Sequence, residues 1–266
     1  MVNNKRVEER VARKPLNADV SGYALTPESR KISANLRIKM VKKYRRMYDW
    51  KVIFSVLIPV VLVIIFWNST LISMFKIFVV MLHEYSHAIG AWLTGGKVIS
   101  MGIGVDQGGY ALTEGGYPVL ITSAGYLGSI FFGMIFLWIS KFEKLNRYFV
   151  GLLGIGMIFM SMKYMRNDGT FPIVFGIGFG VIMIMLGFVW APARSYFLKF
   201  LGVLTTLYVF YDMRSDLFFN KSLNDAKILQ QITGIPAILW SIVWILISST
   251  FLYYFFLTKR EKVEYY

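Results

Sequence analysis

Seven apolar runs, at residues 52–67, 71–93, 118–140, 148–162, 171–190, 196–211 and 235–257, divide this 266-residue chain with only short polar breaks between them. Each is long enough, or nearly so, for a hydrocarbon layer about 30 Å thick. Backbone in that layer must satisfy its own hydrogen bonds, which restricts such runs to helices. With 56% hydrophobic and 17% charged residues, an ordinary soluble domain is excluded. The expected fold class is an all-α polytopic membrane protein of six or seven transmembrane helices. Gly151, Gly154, Gly156, Gly176, Gly178 and Gly180 are expected to let those helices pack closely.

The second run contains both histidines of the chain, within His83-Glu84-Tyr85-Ser86-His87. A step of four residues is slightly more than one helical turn, so His83 and His87 share a face and can hold one metal ion. Glu84 lies beside that face, placed to take a proton from an attacking water and later to pass it to a leaving amine. The expected metal is Zn2+, which polarises a carbonyl and acidifies water. Three ionisable residues in five positions of a membrane helix need a common purpose, because each is costly there.

A catalytic zinc normally takes three protein ligands. With no cysteine in the chain, the third is expected to be a carboxylate. Beyond position 51 the other acids are Asp106, Glu114, Glu143, Asp168, Asp212, Asp216, Asp225, Glu261 and Glu264. Glu143, Glu261 and Glu264 sit in lysine-bearing loop or tail sequence, and Asp168 in the turn signal Asn167-Asp168-Gly169. Asp212 ends an apolar run, and Asp216 follows at i+4 on the same helical face. Asp212 is therefore the expected ligand, with Asp216 behind it or as the alternate ligand.

Between the second and third runs, residues 94–117 carry three glycine pairs around two short β-rich runs, 98–105 and 110–113, which read as a hairpin. Non-helical backbone at membrane depth has to line a wet cavity or be buried in protein. The hairpin is expected to wall the site, with the segment 97–113 presenting a strand edge that receives an unwound substrate, to be probed by single prolines over 98–103.

Residues 1–51 hold 14 of the 29 Lys and Arg against five acids. They read as a cytoplasmic arm that sets topology or touches anionic headgroups, with a basic amphipathic helix over 32–50, and not as a nucleic-acid-binding segment. The first apolar run then acts as a signal anchor, residues 52–257 form the membrane domain, and 258–266 a charged tail.

The histidine motif on a membrane helix, followed by a glycine-rich insert, resembles the site-2 protease family of intramembrane zinc metalloproteases, most closely its compact M50B-like branch. Ser123-Ala124-Gly125-Tyr126-Leu127-Gly128-Ser129 stands where that family has an Ala-Gly-Pro-x-x-Asn type of segment, with Tyr126 in place of the proline and Ser129 in place of the asparagine. Tyr211-Asp212-Met213-Arg214-Ser215-Asp216-Leu217 with the later Asn224-Asp225-Ala226 looks like the branch's C-terminal pattern. The Leu-Asp-Gly motif of more familiar members is absent. The resemblance covers roughly 71–257 and implies a zinc-dependent endopeptidase that cuts a membrane-associated protein substrate within or near the bilayer. Two other classes fit the same residues: a catalytically silent membrane protein holding structural zinc or a partner, and an ion transporter with a His/Asp cation path.

Overall fold

The computed structural model describes residues 50–165, 169–218 and 224–257, with the single residue 35. The basic arm, the amphipathic helix expected over 32–50 and the tail 258–266 lie almost wholly outside those residues.

Among the described residues there are eight helices and one hairpin. In chain order they are α1 (Trp50–Ile65), α2 (Thr70–Leu93), β1 (Lys97–Ile103), β2 (Gly109–Glu114), α3 (Pro118–Ile139), α4 (Glu143–Tyr164), α5 (Thr170–Leu186), α6 (Ala191–Phe218), α7 (Asp225–Thr233) and α8 (Ala237–Leu257). Seven of these helices coincide with the seven apolar runs. The eighth, α7, falls in none of them. By length and composition α3 and α4 can each cross a membrane. Two bent pairs raise that number to four if each is one span: residues of α1 with α2, bent by 110°, and α7 with α8, bent by 120°. The seven apolar runs thus do not map one to one onto straight spans, since α5 has only 17 residues and sharp bends separate α1 from α2 and α7 from α8.

α2 is buried along most of its length. Ser69 caps its start, accepting from the Ile72 amide at 3.3 Å, which satisfies one of the otherwise orphaned donors. At its other end Gly95 (φ 80°) turns the chain, and the Gly96 amide reaches back to the Ala91 carbonyl at 2.7 Å. Thr94 then accepts from the Tyr117 amide at 3.1 Å, tying the hairpin base to both α2 and α3.

Small residues let the helices approach. A Cβ on Gly90 would come within 2.9 Å of the Ala124 side chain, joining α2 to α3. One on Gly202 would meet the Gly133 carbonyl at 2.8 Å, joining α6 to α3. One on Gly180 would meet the Gly154 carbonyl at 2.7 Å, joining α5 to α4. Gly176 also packs closely, against Ser161, whereas Gly151, Gly156 and Gly178 meet nothing within 4 Å and take no part in these seams.

Two buried cations hold the periphery without an acid among the described residues. The Lys76 ammonium lies 4.2 Å from the Trp67 ring centre and 5.9 Å from that of Tyr211, a cation–π arrangement that offsets its burial. Arg194 donates to the carbonyls of Glu143, Gly187 and Val189 and, at 2.9 Å, to the Asn146 side chain, gathering one end of α4, α5 and α6.

β1 and β2 pair antiparallel, with an irregularity between Val98 and Ser100. The turn uses Gln107 at φ 68°, whose amide donates to the Gly104 carbonyl, while Gly104 donates to the Gly108 carbonyl at 2.8 Å. β1 is the inner strand, with Val98, Met101 and Ile103 buried and packed against α2 and the α4–α5 side. Within the expected edge segment 97–113, the part over 98–103 is therefore covered, and β2 is the strand that stays open.

Candidate metal centre

His83 and His87 lie one above the other on α2, their ring centres 4.7 Å apart and their planes at 79°. The carboxylate that meets them comes from α7. Asp225 Oδ2 is 3.0 Å from His83 Nε2 and 3.3 Å from His87 Nε2, and the three ligand atoms all fall within 4.8 Å of one another. Bonds of about 2.0–2.1 Å at a tetrahedral zinc place neighbouring ligand atoms about 3.3 Å apart, so the trio is already close to the spacing a zinc ion requires.

The protonation pattern agrees with that use. His87 Nδ1 lies 2.7 Å from the Ile121 carbonyl, an acceptor only, so Nδ1 carries a hydrogen and Nε2 is the nitrogen left for a metal ion. Asp225 opens α7 directly after Asn224, whose side chain caps the helix by accepting from the Lys227 amide at 3.0 Å. A carboxylate in a first turn is favoured by the helix dipole, and the cap fixes where that turn begins.

Two glycines leave room for this arrangement. A Cβ on Gly125 of α3 would stand 2.5 Å from both His83 Nε2 and His87 Nε2, within the space a metal needs. A Cβ on Gly109 of β2 would come within 2.5 Å of Glu84 Oε1 and 2.8 Å of Val80, so the strand backbone passes directly over the buried carboxylate of Glu84. The segment 123–129 thus serves as the small-residue seat of the histidine helix, with Gly128 likewise against Ser86. Tyr126 sets its ring edgewise to His83 at 4.8 Å and is backed by Trp244 of α8 at 4.9 Å.

His83, Glu84, His87, Gly109, Tyr126 and Asp225 line one chamber of about 720 Å³, bounded by α2, β2, α3, α6 and α7. Among the described residues, no lysine or arginine lines it. His83, Glu84 and His87 stand where the sequence places them. Asp212 does reach the chamber wall, half-buried, yet it is not part of the ligand group. Asp216 belongs to α6, and its side chain falls outside what the structure describes. In the structure Asp225, and not Asp212, joins the histidines. Elimination by run boundaries favoured the acid at the end of a long apolar helix, but the short helix that follows carries the converging carboxylate. The helix signals were present in the sequence: Asn224 as cap, an acid in the first turn, and Gly234 (φ 74°) followed by Pro236 at the stop. Asp106 is engaged with the Gly108 amide at the hairpin turn and lies outside the group.

A family model described as Peptidase M50B-like matches residues 56–255. No curated protein and no solved structure matches the chain.

Proposed function

The chain belongs to the M50B-like peptidase family, and from that membership we propose that it is a zinc-dependent endopeptidase acting on membrane-associated protein segments. The convergence of His83, His87 and Asp225 beside the buried Glu84 is the observation that carries this reading. His83 Nε2, His87 Nε2 and an Asp225 carboxylate oxygen would hold the ion. When bound, zinc supplies Lewis-acid chemistry, polarising a peptide carbonyl and lowering the pKa of water toward neutrality.

The other steps belong to the chain's own residues. Glu84 accepts the proton of the attacking water and returns it to the departing amine. The Ile121 carbonyl keeps His87 in the tautomer that presents Nε2 to the ion, and Tyr126 packs the His83 ring from the side. A helical substrate hides its carbonyls in hydrogen bonds and has to unwind before water can attack. β2 provides a surface for the unwound form. Because Gly104 and Gly108 form a hydrogen-bonded pair, alternation along the ladder turns the amides of Tyr110 and Leu112 toward β1, and those of Gly109, Ala111 and Thr113 outward at the chamber they line.

The direct test uses the purified full-length protein in lipid nanodiscs with a panel of single-span substrates. One zinc per chain is expected, with cleavage lost on chelation and restored by added zinc. A zinc-loaded protein that cuts no member of the panel would refute the proposal.

The strand edge is tested separately by single prolines, which delete an amide donor. Ala111→Pro is expected to impair cleavage with zinc still bound, because its amide faces the chamber. Tyr110→Pro and Leu112→Pro should instead loosen the hairpin itself, read as faster backbone exchange in β1. Normal cleavage by Ala111→Pro would reduce β2 to a connecting element.

A further inference from the structure

α7 has two working faces. Ala226 and Leu229 are buried in a cluster with Tyr126, Val209 and Trp244. Asp225, Ile228 and Ile232, spaced i, i+3 and i+7, share the adjoining face, about 100° round the helix, and line the chamber. Ile228 is half-buried and Ile232 keeps 49% of its surface exposed. The core of the helix is thus complete without them, and two aliphatic side chains remain open to the chamber on the face that bears the third ligand.

Their spacing points to the form of the occupant. At 1.5 Å per residue, Ile228 stands about 4.5 Å along the helix axis from Asp225 and Ile232 about 10.5 Å, a separation of about 6 Å between the two. In an extended peptide, side chains on the same side recur about every 6.6–6.8 Å. A strand passing the metal centre can therefore set one side chain against Ile228 and the next on that side against Ile232. Ile121 and Pro118 add apolar wall to the chamber. An anionic side chain would enter a space that already holds Glu84, Asp212 and Asp225, with no lysine or arginine among the described lining residues to receive it.

We infer that Ile228 and Ile232 are specificity-determining residues, taking apolar side chains at two alternate positions on one side of the scissile bond. The inference rests on the endopeptidase reading of the metal centre and adds the pattern of its substrate: an unwound segment with apolar residues separated by one position.

Binding can be read without turnover in full-length, zinc-loaded Glu84→Gln protein in nanodiscs. The probes are fluorescein-labelled Ser/Gly peptides bearing two leucines at adjacent, alternate or wider spacing. Alternate leucines are expected to bind about tenfold tighter than either other spacing, the usual scale of apolar pocket discrimination. Ile232→Ser should erase the gain from one leucine and Ile228→Ser the gain from the other, with zinc content and circular dichroism unchanged. Equal binding at every spacing, or a preference that survives both substitutions, would overturn the inference. If the spacing preference holds and the zinc-loaded protein with Glu84 intact still fails to cut the alternate-leucine peptide, the two-point site stands and the endopeptidase reading falls.

Discussion

Glu84→Gln is expected to leave zinc bound and the fold intact while peptide cleavage drops by about 10²–10⁴, the range supplied by general acid–base catalysis alone. The amide keeps the shape of the carboxylate beneath β2, where Gly109 allows no spare room, but cannot accept the proton of water. Zinc analysis and initial-rate measurement on the same preparation decide the matter. Unchanged turnover would remove Glu84 from the mechanism, and a protein that merely stores structural zinc would show no cleavage to lose in the first place.

The second large effect is on the metal. Asp225→Ala deletes one of the three side chains that converge to hold the proposed zinc, and zinc affinity is expected to fall by more than about 100-fold, beyond what loss of a group that only supports a ligand causes. Asp212→Ala should keep its zinc, since Asp212 sits on the chamber wall outside the ligand group. Asp216→Ala, the other carboxylate that the sequence raises as a ligand, should keep it too. Competition with a chromogenic chelator gives all three affinities side by side. If Asp212→Ala emptied the site and Asp225→Ala did not, the two roles would have to be exchanged.

The helices were legible in the sequence because each buries or exposes a long apolar run, and hydrophobic length survives any tertiary arrangement. The hairpin was legible for a different reason: the glycine pairs at 95–96 and 108–109 bracket β1, and that at 115–116 follows β2. α7 was not, because nine residues of mixed polarity leave no apolar run for a membrane-span reading to find. Asp225 went unrecognised with it. Which strand would be the open one also lay beyond the sequence, since β1 and β2 both carry β-formers and pack on α2, and the packing of β1 against α4 and α5 decides which is covered. Gly125 reads in sequence as one small residue among several. Its place against the two imidazoles depends on how α3 crosses α2.

The converging side chains are also far apart along the polypeptide: His83 and Asp225 are separated by 142 positions. At typical elongation speeds of 5–20 residues per second, the ribosome adds that stretch over a time on the order of ten seconds after the histidines are made. During that interval the nascent chain carries both histidines and Glu84 but not Asp225. Completion of the His83–His87–Asp225 group therefore waits on α7, which together with α8 packs against Tyr126 through Leu229 and Trp244.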